Sequence, residues 1–328
     1  MLAVNSHEIR NILVVTLSNI GDVILTTPVF SLLRDYFPSA RVSVIVGPKG
    51  VPVFTHSQTV DRVIEFDKRM SWLEKLKFIR GLRKERFDLI VDLRNTLIPF
   101  LLRARYRTPL ARKQSGLAMR ERHLNRLKPL LVVKNQKNGF HFFTDEEQQS
   151  GLRKLKREIP TASDNEFILV APGAGSHLKR WTISGFRDLV HHFFDLGRSV
   201  VLVGDEKERE LGLELGRVRA GPLANLIGEL TIREAAGLVA RAALVVANDS
   251  AVMHLGHELE RPTVSIFGPT SEQKYGRAGD RYRTVRLNLE CTPCEQPECR
   301  LAYRACLDDL PASSIIETCG ELLRNASS

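Results

Sequence analysis

The chain has 328 residues, 43% of them hydrophobic and 26% charged, which is ordinary globular composition and excludes a largely disordered protein. At about 150 residues per domain, that length predicts two domains. The net charge of +10 points to an anionic partner somewhere on the surface.

No apolar stretch approaches the roughly 18 uninterrupted residues of a membrane-spanning helix. The longest, Ile12 to Leu33, is broken by Asn19, Gly21, Asp22 and Pro28. Met1 to Arg10 lacks the apolar core of a secretory signal, so the expected location is the cytoplasm.

In chain order, Asn11 to Leu17 reads as a buried parallel strand, followed by the turn Ser18-Asn19-Ile20-Gly21-Asp22 and a helix to about Tyr36. Short strands follow at 41–46, 62–66 and 87–93, with a strongly charged helix from Ser71 to about Glu85. Eleven basic residues then fall within 100–137: Arg103, Arg105, Arg107, Arg112, Lys113, Arg120, Arg122, Arg126, Lys128, Lys134 and Lys137. Glu121 is the only acid among them, so this segment alone holds +10 and the rest of the chain is neutral. Such concentration favours a device for an anionic partner over an ordinary solvated face.

A second α/β pattern begins after the polar stretch 160–165. Phe167 to Ala171 is its opening strand, followed by a Gly-rich turn and a helix from Thr182 to Leu196. Further strands are expected at 199–203, 242–247 and 263–267, with helices between them and a last helix over about 312–324. Strands alternating with helices predict two doubly wound parallel sheets, joined near residue 160, with ligands at the carboxyl ends of the strands in the cleft between halves.

Five cysteines lie between Cys291 and Cys319 and none elsewhere. The run Cys291-x2-Cys294-x4-Cys299-x6-Cys306 suits either a tetrahedral metal or free thiols. Its irregular spacing, without paired CxxC motifs, favours thiols.

Three turns carry the chemistry. Asp22 stands at a strand-to-helix junction, where it is either the N-cap or a general base for a sugar hydroxyl; the local residues favour the cap. In Ala171-Pro172-Gly173-Ala174-Gly175-Ser176-His177-Leu178-Lys179-Arg180-Trp181, the glycines free backbone N–H groups for phosphate and Lys179 supplies charge. The alternative there is a plain turn with a surface lysine, and Trp181 reads as packing. Asn248-Asp249-Ser250-Ala251-Val252-Met253-His254 opens another helix, whose N-terminal amides suit an anion. Asp249 either caps it or binds sugar hydroxyls, and His254 shares a helix face with Ser250. Phe267-Gly268-Pro269-Thr270 closes the next strand. Neither G-x-G-x-x-G nor a Walker A spacing occurs at these turns, which weakens a dehydrogenase or P-loop reading.

Taken in order, Leu17 to Pro28, Pro172-Gly173 with Lys179 to Trp181, Asp249 to His254, Phe267 to Thr270 and even Cys291-Thr292-Pro293-Cys294 resemble the lipopolysaccharide heptosyltransferases, over nearly the whole chain. The resemblance implies a GT-B fold of two facing Rossmann-like domains with parallel sheets. Residues 1–160 would bind the acceptor and 161–328 the nucleotide sugar, with the last helix a candidate to pack back on the first domain. It implies inverting transfer of heptose from ADP-heptose to an inner-core acceptor, with no cofactor and no essential metal. Asp22 would be the base and Lys179 would stabilise the leaving ADP. Ser250, Ala251 and His254 would line the diphosphate, Ser176 would contact the nucleotide sugar, Asp249 would face the donor sugar or ribose and Leu230 the adenine, while Ser18, Asn19 and Gly21 would meet the acceptor. The basic segment 100–137 would face an anionic, lipid-linked acceptor at the inner-membrane surface, making the enzyme a peripheral cytoplasmic one.

Two positions depart from the family pattern: Ala251 where many members have glycine, and Thr16 where several have a basic residue. The competing readings are a transferase using another nucleotide sugar for a surface polysaccharide, a sugar-nucleotide epimerase, and a nucleic-acid binder. The epimerase lacks identifiable extra acid–base residues, and no recognised motif or aromatic array supports nucleic acid.

Overall fold

The computed structural model describes residues 8–110, 116–133, 139–217 and 220–326. Arg112, Lys113, Lys134 and Lys137 of the basic segment lie outside the described residues. The chain divides into two compact units, Met1–Phe142 and Phe143–Ser328.

In the first unit the order is β1 (Asn11–Val15), α1 (Ile20–Ile24), α2 (Thr27–Tyr36), β2 (Arg41–Val46), α3 (Val51–Phe54), β3 (Arg62–Glu65), α4 (Trp72–Arg83), β4 (Phe87–Asp92), α5 (Ile98–Leu101), β5 (Ala104–Arg107) and α6 (Met119–Asn125). The five strands form a parallel sheet ordered β3-β2-β1-β4-β5. Covered on both faces, its central strands need apolar side chains at successive positions, and Ile12, Leu13, Val14 and Val15 are all buried. The single helix expected from Asp22 to Tyr36 is two, α1 and α2. Pro28 stands in the first turn of α2, where its missing N–H costs nothing, and the Thr26 and Thr27 hydroxyls donate to Val23 O and Ile24 O at the break. The edge strand β5 was not foreseen; it carries Arg105 and Arg107 of the basic segment.

The second unit runs α7 (Asp145–Glu158), β6 (Ile168–Ala171), α8 (Ile183–Asp195), β7 (Val200–Leu202), α9 (Arg209–Gly216), β8 (Leu223–Asn225), α10 (Ile232–Val239), β9 (Leu244–Asn248), α11 (Ala251–Glu258), β10 (Thr263–Ile266), α12 (Glu272–Tyr275), β11 (Tyr282–Val285), α13 (Ala305–Asp308) and α14 (Ala312–Ala326). Its six strands are again parallel, ordered β11-β10-β9-β6-β7-β8. Helix α8 buries Phe186, Leu189, Val190 and Phe193, the spacing of one helix face. The last helix, α14, places Ile315, Cys319 and Leu322 in that same core, against α8 and β9 to β11. No helix among the described residues is long and apolar enough to cross a membrane.

The division falls before residue 160 because α7 packs on α10 of the second unit. Both helices begin with a capping box, Thr144 with Glu147 and Thr231 with Glu234. Between them, Glu147 pairs with Arg233 at 2.9 Å, and Lys154 and Ser150 donate to Glu234 at 2.8 and 2.6 Å.

Burial works to raise the Glu234 pKa, but the hydrogen bonds from Lys154, Ser150 and the Thr231 N–H outweigh it and bring it from 4.5 to about 2. A depressed carboxylate contributes stability above its unfolded pKa and loses it as pH falls through the folded one. Replacing Glu234 by Gln is expected to cost about 1–3 kcal/mol at neutral pH. In urea titrations across pH, that difference should shrink between 4.5 and about 2; a pH-independent difference would refute the assignment.

Candidate active site

In the first unit, the residues singled out gather at the carboxyl end of β1. Asn19 occupies the N-cap position of α1 without a side-chain cap, and Asp22 is the third residue of the helix, so it is not the N-cap. Asn19 Nδ2 instead donates to Asp22 Oδ2 at 3.1 Å, and the half-buried carboxylate keeps its other oxygen for a further partner. Thr16 is buried and shares a 2.9 Å hydroxyl contact with Thr26, so the chain meets the missing basic residue there with an internal hydrogen bond. Ser18 lies against the exit of β2, where a Cβ on Gly47 would come within 2.6 Å of Ser18 Oγ.

Sequence reasoning missed Arg94. It leaves the end of β4, and its Nη1 reaches Ser18 Oγ at 3.4 Å. Buried Asp92 shapes that exit by accepting from Arg94 N at 2.9 Å, Thr96 N at 2.5 Å and Thr96 Oγ1 at 2.9 Å. Arg126, the C-cap of α6, donates to Asp92 O through Nε at 3.0 Å and Nη2 at 2.9 Å. Two guanidiniums from separate segments therefore converge on the exit beside Ser18. The arginine after a strand-ending aspartate was the available signal.

In the second unit the organising residue is Asn248, fully buried at the end of β9. Its Oδ1 accepts from Trp181 N at 3.0 Å and its Nδ2 donates to Pro172 O at 2.8 Å, tying both ends of the Gly-rich turn to the strand. Trp181 is packing, as expected: its indole N–H donates to Leu310 O at 3.0 Å and its ring meets Phe186 edge-on. Ser176 caps the short turn His177–Lys179 by accepting from Leu178 N.

That turn brings Lys179 to the next strand exit. Lys179 Nζ pairs with Asp249 Oδ2 at 2.8 Å, and His254 Nε2 lies 3.9 Å from Asp249 Oδ1. Asp249 is 4% exposed at its side chain and Lys179 31%, so the lysine shields the acid while facing outward. Tyr275 of α12, also missed, lies 5.6 Å below the ammonium and 6.5 Å from the His254 ring. Its place follows from tertiary packing, and no local pattern marks it. Ser250 stands at the N-cap position of α11 without capping it; its buried Oγ has no hydrogen-bond partner among the described residues, nor has Thr270 Oγ1 after β10. Ala251 is the first residue of α11. Leu230, half-buried, follows β8 at the same edge, two strands from β6.

Gly173 has a different reason from the one expected. A Cβ there would lie 2.0 Å from the Glu208 carboxylate, whereas at Gly175 it would meet nothing within 4 Å. Glu208 is buried beneath the turn, accepting from Asp205 N at 3.0 Å with Arg180 at 3.6 Å. Burial raises its pKa. Gly175 alone fits the open approach predicted for both glycines.

All five cysteines are unbridged; Cys291 and Cys299 are exposed and Cys306 is buried. Burial, and then the neighbouring thiols of Cys299, Cys291 and Cys294, push the Cys306 thiol up to about 11. Among the described residues, no group of three or more His, Cys, Asp or Glu side chains is placed to hold a metal ion.

Residues 75–304 match the sequence profile of glycosyltransferase family 9 (heptosyltransferase). The chain belongs to this family. Lipooligosaccharide heptosyltransferase 2 of Haemophilus influenzae is 24% identical over 344 residues, covering 95% of this chain and 99% of that protein. Lipopolysaccharide heptosyltransferase 2 of Escherichia coli K12 is 24% identical over 349 residues, covering 95% and 98%. Among solved structures, E. coli ADP-heptose LPS heptosyltransferase II superposes with a TM-score of 0.76 at 23% identity, covering 97% of this chain and all of that one. E. coli heptosyltransferase WaaC with ADP gives 0.72 at 19% identity, covering 95% and 99%. The fold is GT-B, and this family 9 member is a glycosyltransferase.

Replacing Asn248 by Ala strands a buried N–H and a buried C=O at once, an expected cost of about 2–5 kcal/mol. Urea denaturation measures it, and faster hydrogen exchange at the Trp181 amide should accompany it. Unchanged stability would show that the turn stands without this tie.

Proposed function

We propose that this family 9 enzyme moves heptose from ADP-heptose to a hydroxyl of an anionic, lipid-linked lipopolysaccharide inner-core acceptor, with inversion. The observation that carries the reading is the meeting of Lys179, Asp249 and an unpartnered Ser250 hydroxyl at the N-terminus of α11. An ammonium has three N–H donors; one serves Asp249 and two are left for a diphosphate. The first N–H groups of α11 and its positive end add to them. The similar E. coli enzyme solved with ADP supports the choice of nucleotide.

In this reading Asp22 takes the proton from the acceptor hydroxyl as its oxygen attacks the anomeric carbon. The bond from that carbon to the β-phosphate oxygen breaks, and ADP leaves with the charge. Lys179, Ser250 and the amides of Ala251 and its successors stabilise that charge where it develops. Ser176 and His254 border the diphosphate, Asp249 holds hydroxyls of the heptose or ribose, and Leu230 lies against the adenine. Ser18, Asn19 and Gly21 line the acceptor, and Arg94 beside Ser18 offers a charge for its acidic groups. The acceptor is held at the cytoplasmic face of the inner membrane, with the basic segment 100–137 toward the anionic surface.

ADP release from ADP-heptose, with and without a deep-rough core acceptor, tests this. Asp22→Ala is expected to lower kcat by about 10²–10⁴ while donor binding is unchanged. Lys179→Ala should lower kcat by about 10²–10³ and weaken ADP binding as well. Release that does not depend on acceptor, or full activity in Asp22→Ala, would overturn the mechanism.

A further inference from the structure

Among the described residues, twelve large apolar side chains are exposed, and six of them sit together on α4 and around α5: Trp72, Leu73, Leu76, Leu97, Phe100 and Leu101. The two segments are neighbours. Arg83 Nε donates to Leu101 O at 2.6 Å, and Phe78, Ile79 and Leu82 share one core cluster with Ile98 and Leu102. The inner faces are thus committed to the sheet, and the outer faces turn apolar groups to solvent, Trp72 at 69% and Leu97 at 70% exposure.

The charge between these groups is predominantly positive, although Arg105 pairs with Glu8. Residues 71–84 hold Lys75, Lys77, Arg80, Arg83 and Lys84 against Glu74 alone, and Glu74 is engaged in the capping box with Ser71. Arg103, Arg105 and Arg107 follow α5, with Arg107 over the Phe100 ring at 5.7 Å. Exposed Trp, Phe and Leu interleaved with Lys and Arg match a bilayer interface. The rings and aliphatic groups enter the boundary between headgroups and acyl chains, and the cations reach lipid phosphates. Nucleic acid would use the cations and leave all six apolar groups in water.

We infer that the outer face of α4 and α5 is a docking surface for an anionic phospholipid bilayer. This places the membrane contact mainly before the segment 100–137. Helix α4 follows β3 and the α5 segment follows β4, so Trp72 and Leu97 start from the strand ends that carry Ser18, Asp22 and Arg94. Docking there would keep a lipid-linked acceptor beside the proposed base, a consequence that rests on the function proposed above.

The test uses the whole chain with vesicles of phosphatidylcholine alone or mixed with phosphatidylglycerol. Trp72 is exposed and Trp181, the only other tryptophan, is 2% exposed, so a blue shift of emission on vesicle addition reports Trp72 entering the interface. Binding to the mixed vesicles with that shift is expected. Each Glu replacing Lys75, Lys77 or Arg80 should weaken it about fivefold or more. The triple variant Leu73→Ser, Leu76→Ser, Phe100→Ser should weaken it about tenfold or more and reduce the shift. All four variants should retain transfer to a soluble acceptor and an unchanged circular dichroism spectrum. A wild type that binds neither vesicle overturns the inference, as does full binding by the triple variant or binding only to acidic protein. Vesicle binding by a chain that transfers no heptose would overturn the function and leave the docking surface standing.

Discussion

Both sheets are parallel throughout, and a parallel sheet covered on two faces leaves its strand ends as the places where polar side chains reach solvent. Every group that the proposed mechanism uses obeys this constraint. Ser18 and Asp22 follow β1, Arg94 follows β4, the Gly-rich turn follows β6, and Asp249 and Ser250 follow β9. All strands of a sheet point the same way, so turns distant in sequence arrive at one edge. Lys179 and Asp249 are 70 residues apart and 2.8 Å apart in space.

The two edges are built differently. In the second unit a neutral, fully buried amide does the tying: Asn248 satisfies one donor and one acceptor of the turn without placing a charge in the core. Glu208 then fills the space under Gly173, with its pKa raised by burial. The turn is held from below and open above, which suits a ligand bound through backbone N–H groups. In the first unit the ties are charged, with Asp92 gathering the loop of Arg94 and Thr96 and Arg126 holding the Asp92 carbonyl. Arg94 brings a cation to that edge beside Ser18, as an acidic acceptor would require.

The basic excess also takes structural form. Part of it builds the edge strand β5 and helix α6, part lies outside the described residues, and Arg126 turns inward to the strand exit. Helix α4 and its C-cap Lys84 add five further cations beside exposed tryptophan and leucine. Charge counted along the chain therefore marks a region, while burial decides which members meet solvent.

The two parallel sheets and the placement of the three turns at their strand ends were legible in the sequence. Buried parallel strands need continuous apolar runs, and strand-to-helix turns need Gly, Asp, Ser and Asn, so both leave local marks. The motif order, matched along nearly the whole chain, also marked the family. The split of the first long helix was signalled by Pro28 but not read. Only tertiary packing decided the rest. It set the Asp22 position within α1, joined Lys179 to Asp249, and brought Tyr275 and Arg94 to their partners. It also assigned α7 to the second unit and gave Gly173 to Glu208. These depend on which strands are neighbours and which side chains fill the space between them, and long-range pairing of that kind leaves no periodicity in the chain.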